Sequence, residues 1–225
     1  MSSTGRLRVM RCELGYLNRA DGSCSYSQGK TSVWASCSGP GDIHIARRED
    51  EQMHIDVSFR QLTGDCQHHH VRRGMLNNII QSTLESVMDL KMFPRTGLTV
   101  TVHLLQSDGS IGGAALTAVG LALLDNGASV RWTPFCGVEV CQVDGKLVLD
   151  ADGKTQARAE ASWLFAFTRS AEVSFCKEAQ ELSTLHRMII KRAAVCMSFF
   201  LAASDGVWMV QRMSGFRKRV TDVVQ

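Results

Sequence analysis

Between Met53 and Phe59 the apolar residues Met53, Ile55, Val57 and Phe59 alternate with His54, Asp56 and Ser58. Period two belongs to a strand buried on one face, so this stretch predicts a half-covered sheet. Further on, Leu76, Ile80, Thr83, Val87 and Leu90 step by four and three. That spacing predicts an amphipathic helix over Arg73–Lys91, stopped by Pro94. The chain must therefore carry strands and helices in succession.

The remaining segments fill in the order. Asp21-Gly22 predicts a turn before the strand-like run Thr31–Ala35, giving a hairpin that Ser38-Gly39-Pro40-Gly41 would stop. Leu98–Leu105 reads as a strand, and Ile111–Leu124, rich in Ala, Gly and Leu, as a closely packed second helix. Asp144-Gly145 is the strongest hairpin signal, flanked by Cys136–Val143 and Lys146–Leu149. Trp163–Phe167 predicts another strand. Leu182, Leu185, Ile189, Ala193, Cys196 and Phe200 share the stripe of a long core-facing helix. Hairpins, helix, strand, helix, strands and long helix make an α+β sandwich of sheets and helices.

With 225 residues, 44% of them hydrophobic and only three prolines, one domain spanning 1–225 is expected, with 1–13 as a short lead and 212–225 as a basic tail. The formal charge of +3, from 25 basic and 22 acidic side chains, is too small for a whole-protein field that gathers nucleic acid. Any RNA contact must be local. Eight irregularly spaced cysteines fit reduced thiols better than a disulfide framework. No apolar run reaches the roughly 18 residues of a membrane span.

Three ordered segments carry a family resemblance. They are Leu17-Asn18-Arg19-Ala20-Asp21-Gly22-Ser23 with Gln28–Val33 and Ser38-Gly39-Pro40; Phe93–Val100 leading to Gln106-Ser107-Asp108-Gly109; and Pro134–Val138 with Gly145–Asp150. Together they resemble the RNase PH family, in its branch of catalytically silent ring subunits of the eukaryotic RNA exosome. The resemblance implies a single RNase PH-like domain and, in active members, phosphorolysis of RNA. Phosphate and phosphodiester are both anions, so that reaction demands fixed positive charge.

Aligned on the family's motifs, the demand is not met. The family's Asp-Gly-Gly-Thr-Arg element falls on Asp108–Gly112, leaving Gly112 where the phosphate arginine stands. Its Leu-Asp-Leu-Asp segment falls on Leu149–Asp152, and the acid four residues later becomes Gln156, a poor ligand for a hard cation. The first-helix arginine falls near Ser82 or Glu85. Losing one charge-assisted phosphate contact costs on the order of 2–4 kcal/mol, roughly 30- to 1000-fold in rate. No catalytic residue is expected; Gly112, Asp150 and Gln156 are degenerate positions. Asp150 and Asp152 read as the charged end of a hairpin or, less favoured, a relic metal site.

The resemblance implies no cofactor and no membrane. Its partners would be other RNase PH-like ring subunits, RNA-binding cap subunits, a hydrolytic exosome nuclease and single-stranded RNA in a central channel, with placement in nucleus, nucleolus and cytoplasm. The competing reading is an active phosphorolytic or metal-dependent 3′-exoribonuclease. Arg72, Arg73 and Arg95 are the candidate RNA contacts, although for Arg72 and Arg73, at the start of the first helix, a plain solvated turn is the favoured reading. His68-His69-His70 reads as a solvated loop rather than a zinc site, because adjacent histidines on a loop rarely converge on one ion. Cys136 and Cys141 read as small buried hydrophobes. Arg217-Lys218-Arg219 reads as a soluble end.

Overall fold

The alternating stretch takes its place near the edge of a sheet. In the computed structural model, which describes residues 8–62, 66–127, 135–167 and 173–176, it forms strand β4 (His54–Gln61), with Ile55, Val57 and Phe59 buried and Asp56 and Arg60 exposed. A helix, α1 (Cys66–Val87), carries the chain to β5 (Thr96–Gln106), which pairs with β4 in parallel from His54↔Gly97 to Gln61↔Leu104. Parallel strands need such a crossover, and the α1 helix that makes it packs against β4.

Antiparallel strands complete this sheet: β1 (Met10–Leu14), β2 (Gly22–Gln28) and β3 (Thr31–Asp42), in the order β1-β2-β3-β5-β4. The expected lead 1–13 thus contains most of β1. The hairpin between β2 and β3 closes at Gly29, whose φ of 61° suits a tight turn, and not at Asp21-Gly22. Gly22 has another task. A Cβ there would lie 2.3 Å from the carbonyl oxygen of Ala122 and 2.4 Å from the nitrogen of Asn126, so only glycine lets a helix end sit on β2. Ser38–Gly41 does not stop β3 either; it is absorbed as a register shift between Ser38 and Gly41, and the strand continues to Asp42.

The helix resting there is α2 (Ile111–Asn126), the predicted close-packed one. It is buried on all sides from Gly112 to Leu123, because it lies against β2 and β3 on one side and against the second sheet on the other. That sheet has the order β7-β6-β8-β9, formed by β6 (Cys136–Val143), β7 (Lys146–Leu149), β8 (Ala161–Phe167) and β9 (Val173–Cys176). Asp144 and Gly145 both have positive φ, 50° and 67°, the geometry of the type I′ turn that Asp-Gly favours. Cys136 and Cys141 are buried, as expected of small hydrophobes on a strand. The α+β sandwich stands.

Boundaries of α1 differ from the expected Arg73–Lys91. It begins at Cys66, so His68-His69-His70 is helical and not a loop, and Arg72 and Arg73 lie in its second turn rather than at its start. It ends at Val87, before Pro94 can act: the Leu90 carbonyl accepts from the Met53 nitrogen at 2.9 Å, which draws the chain out of the helix. No helix among the described residues is long and apolar enough to cross a membrane. The expected helix with the Leu182–Phe200 stripe and the basic tail from Arg212 lie outside the described residues.

Candidate functional site

Four pieces of chain converge at the start of α2. They are the loop 108–110 that leaves β5, the middle of β6, the residues following β7, and the segment just before β1. After β7 comes a four-residue turn of helix, α3 (Gly153–Gln156). Gly109, Ser110 and Asp150 all have positive φ, at 82°, 51° and 52°. For Ser110 and Asp150 this left-handed backbone is uncommon, and it persists because the surroundings hold it.

The holding contacts are specific. Thr31 donates its hydroxyl to the Gly109 oxygen at 2.8 Å and accepts from the Asp108 nitrogen at 3.0 Å. Arg8 donates through Nη1 to the Asp108 oxygen at 2.8 Å and through Nη2 to Asp150 Oδ1. Its own backbone nitrogen donates to Asp150 Oδ2 at 3.3 Å. The side chains of this pair are only 17% and 4% exposed. Burial works against the Arg8 charge, but the Asp150 hydrogen bond and the carboxylates of Asp150, Asp108 and Asp152 outweigh it and hold its pKa above the ordinary value. Asp150 is thus an anion already neutralised from within.

Asp152 is engaged differently. Its side chain caps α3 by accepting from the Thr155 nitrogen at 3.0 Å, and hydrogen bonds from Thr155 hold its carboxyl below the usual range. Gln156 and the first turn of α2 complete the cluster. The Gln156 Oε1 accepts from the Ser110 nitrogen at 3.1 Å, while its Nε2 donates to Glu139 Oε1 at 2.5 Å. The Glu139 Oε2 accepts from the Gly112 nitrogen at 3.2 Å. A helix N-terminus is where backbone N–H groups would receive an anion. Here the anion is the protein's own carboxylate.

Gly112 itself has little room for a side chain. A Cβ would stand 2.7 Å from Leu164 Cδ2 and 3.4 Å from Leu76 Cδ2. An arginine here would have to displace the half-buried Leu164 side chain, with Leu76 at ordinary contact distance.

The structure brings Gly112, Asp150 and Gln156 together and leaves the other candidates elsewhere. Arg95 stands at the far end of β5, whose 11 residues span roughly 35 Å. It is exposed, donates from Nε to Asp50 Oδ1 at 3.0 Å, and shares that end of the sheet with the surface pairs Arg47–Asp56 and Arg48–Asp42. Ser82 and Glu85 are exposed on α1, with Glu85 accepting from Gln81 at 3.0 Å. Arg72 and Arg73 belong to the backbone of α1, and their side chains lie outside the described residues. Among the described residues no three His, Cys, Asp or Glu are grouped so as to hold a metal ion.

Two residues of the site escape sequence reasoning. Arg8 sits in what reads as an unremarkable lead. Glu139 left one trace, a single acid inside the apolar run Cys136–Cys141, whose neighbours on both faces of the strand are buried.

Residues 6–129 match the RNase PH family, the 3′ exoribonuclease family, domain 1. The chain is 45% identical over 168 residues to the exosome complex component RRP46 homolog of Caenorhabditis elegans, across 75% of this chain and 76% of that one. It is 31% identical over 172 residues to the exosome complex component Rrp41 of Archaeoglobus fulgidus, across 72% and 64%. The crystal structure of rice Rrp46 matches with a TM-score of 0.80 at 20% identity, covering 90% of this chain and 97% of that one. The archaeoglobus fulgidus exosome with RNA bound to the active site matches with a TM-score of 0.74 at 16% identity, covering 88% and 90%. At those identities the two structures speak for the fold alone.

Proposed function

This chain belongs to the RNase PH family of 3′ exoribonucleases, and from that premise we propose that it is a non-catalytic ring subunit of the RNA exosome, of the RRP46 type. Its work is to complete a ring with other RNase PH-like subunits and to support RNA-binding cap proteins and a hydrolytic nuclease. It would also shape part of the channel through which single-stranded RNA reaches that nuclease. Such a subunit acts in nucleus, nucleolus and cytoplasm, wherever RNA is matured or degraded from its 3′ end.

The observation that carries the silent site is the packing at Gly112. Where active members of the family place the phosphate arginine, this chain has a glycine backed by Leu164 and Leu76. Arg8, the cation that reaches into the loop before α2, is paired with Asp150. Without the arginine that active members place here, attack of phosphate on a phosphodiester loses on the order of several kcal/mol of transition-state stabilisation. Asp150 and Asp152, which taken alone would suggest hydrolysis with a metal, serve as an ion-pair partner and a helix cap.

The deciding experiment uses the purified full chain, free of partners, with a labelled single-stranded RNA. No shortening is expected with added orthophosphate, nor with magnesium or manganese in phosphate-free buffer. Nucleoside diphosphates released in proportion to orthophosphate would establish a phosphorolytic enzyme instead. Metal-dependent cleavage that disappears in Asp150→Ala would establish a hydrolytic one. Purification from native extract should recover other ring subunits with the chain.

A further inference from the structure

Gln156 does something that a carboxylate in its place could not do. It accepts from the Ser110 nitrogen at 3.1 Å and at the same time donates to Glu139 at 2.5 Å. An amide offers both an acceptor and a donor at its end, whereas an ionised carboxylate only accepts. Glu139 in turn divides its two oxygens between the Gln156 amide and the Gly112 nitrogen. The result is a run of three hydrogen bonds, from Ser110 to Gln156, Gln156 to Glu139 and Gly112 to Glu139, with Ser110 and Gly112 both at the entry to α2. A carboxylate at position 156 could still accept from Ser110, but it would face Glu139 at hydrogen-bond distance with like charge, in a half-buried place.

We propose that Glu139 and Gln156 form an acid–amide lock, in which the acid that position 156 does not carry stands at 139 and closes the first turn of α2 from inside. The lock deepens the scaffold reading above and rests on it. A second anion approaching this turn meets a carboxylate that already holds the Gly112 N–H at the positive end of the helix. It also makes positions 139 and 156 interdependent, so an acid restored at 156 alone breaks the run rather than rebuilding a metal site. These three hydrogen bonds need one acid and one amide, and either order of the two satisfies them.

Exchange of the two groups tests this. Gln156→Glu, Glu139→Gln and the double variant are prepared in the full chain and followed by thermal unfolding. In Gln156→Glu two carboxylates meet; in Glu139→Gln one of the three N–H donors loses its acceptor. Each single variant should lower Tm by about 4 °C or more, by the usual scaling for a chain of this size. The double variant, in which the amide now at position 139 donates to the carboxylate now at position 156, should return to within about 1–2 °C of the parent. If Gln156→Glu fails to fold, a folded double variant still supports the lock, and a double variant that also fails overturns it. Losses that simply add, or a Gln156→Glu chain as stable as the parent, overturn it too. A saturable rise in the parent's Tm with inorganic phosphate, beyond chloride at equal ionic strength, would likewise show that the turn is open. None of these results depends on RNA shortening, so the lock and the scaffold reading fail separately.

Discussion

Arg8 and Asp150, 142 positions apart, form an ion pair that joins the entrance of β1 to the end of β7. The same guanidinium donates to the Asp108 oxygen at 2.8 Å, so one side chain ties together both sheets and the loop that leads into α2. Its Nε is buried without a hydrogen-bond partner. A group held at that cost is held for what its other nitrogens do.

Removing the cation should therefore be strongly destabilising. Arg8→Met leaves Asp150 buried and unpaired and is expected to lower stability by about 2–4 kcal/mol in urea unfolding. Adding Asp150→Asn to it should recover part of the loss, because the stranded charge is then gone. An Arg8→Met chain within about 0.5 kcal/mol of the parent would mean that the tie is a surface decoration.

Gly22→Ala is the sharpest steric test. The added methyl meets the backbone of α2 at Ala122 and Asn126, 2.3 and 2.4 Å away, and backbone cannot rotate aside. A loss of about 2–4 kcal/mol in chemical denaturation is expected, at the upper end of overpacking costs. The same substitution at Gly145, where nothing lies within 4 Å, meets only the strain of a positive φ and should cost about 1 kcal/mol.

Gly112→Arg should not revive the site. The new side chain starts 2.7 Å from Leu164 Cδ2, beside a Glu139 whose oxygens already accept from the Gly112 nitrogen and the Gln156 amide. Lower stability and no orthophosphate-dependent RNA shortening are expected; a clear gain of phosphorolysis would show that one lost arginine was all that silenced the chain.

Thiol chemistry follows burial. Burial pushes Cys12 up to about 11 and Cys37 to about 12 from an ordinary value of 9.0, and Cys24, between them on β2, is raised as well. These thiols should resist alkylation at about pH 8 in the folded chain and react once it is unfolded, as read residue by residue in peptide maps. The sign of the linkage is fixed by the raised values. Their contribution to stability is whole below about pH 9, where unfolded thiols begin to ionise, and is lost as pH rises through 11 to 12. Native alkylation of Cys37 as fast as in denaturant would contradict its burial.

Local chemistry made much of the fold legible. The alternation around Val57 became β4, the Ala- and Gly-rich run became α2, and Asp144-Gly145 turned where it was expected, with both φ angles positive. Each of these signals is written within a few consecutive residues. Readings failed where a residue answered to a distant partner. Asp21-Gly22 looked like the hairpin turn, yet Gly22 is required by a helix end far along the chain, at Ala122 and Asn126. The start of α1 at Cys66 went unseen because the segment around His68 lacks the apolar stripe that marks the later turns.

For the site, the sequence alone determined that a glycine stands at 112 and a glutamine at 156, where the family resemblance implies an arginine and an acid. What surrounds them was decided only by the tertiary structure. Glu139 and Arg8 reach the start of α2 from another strand and from before the first one, and no local pattern encodes that meeting. Hydrogen bonds and ion pairs act over about 3 Å in space regardless of separation along the chain, so their partners become readable only after the backbone has been folded.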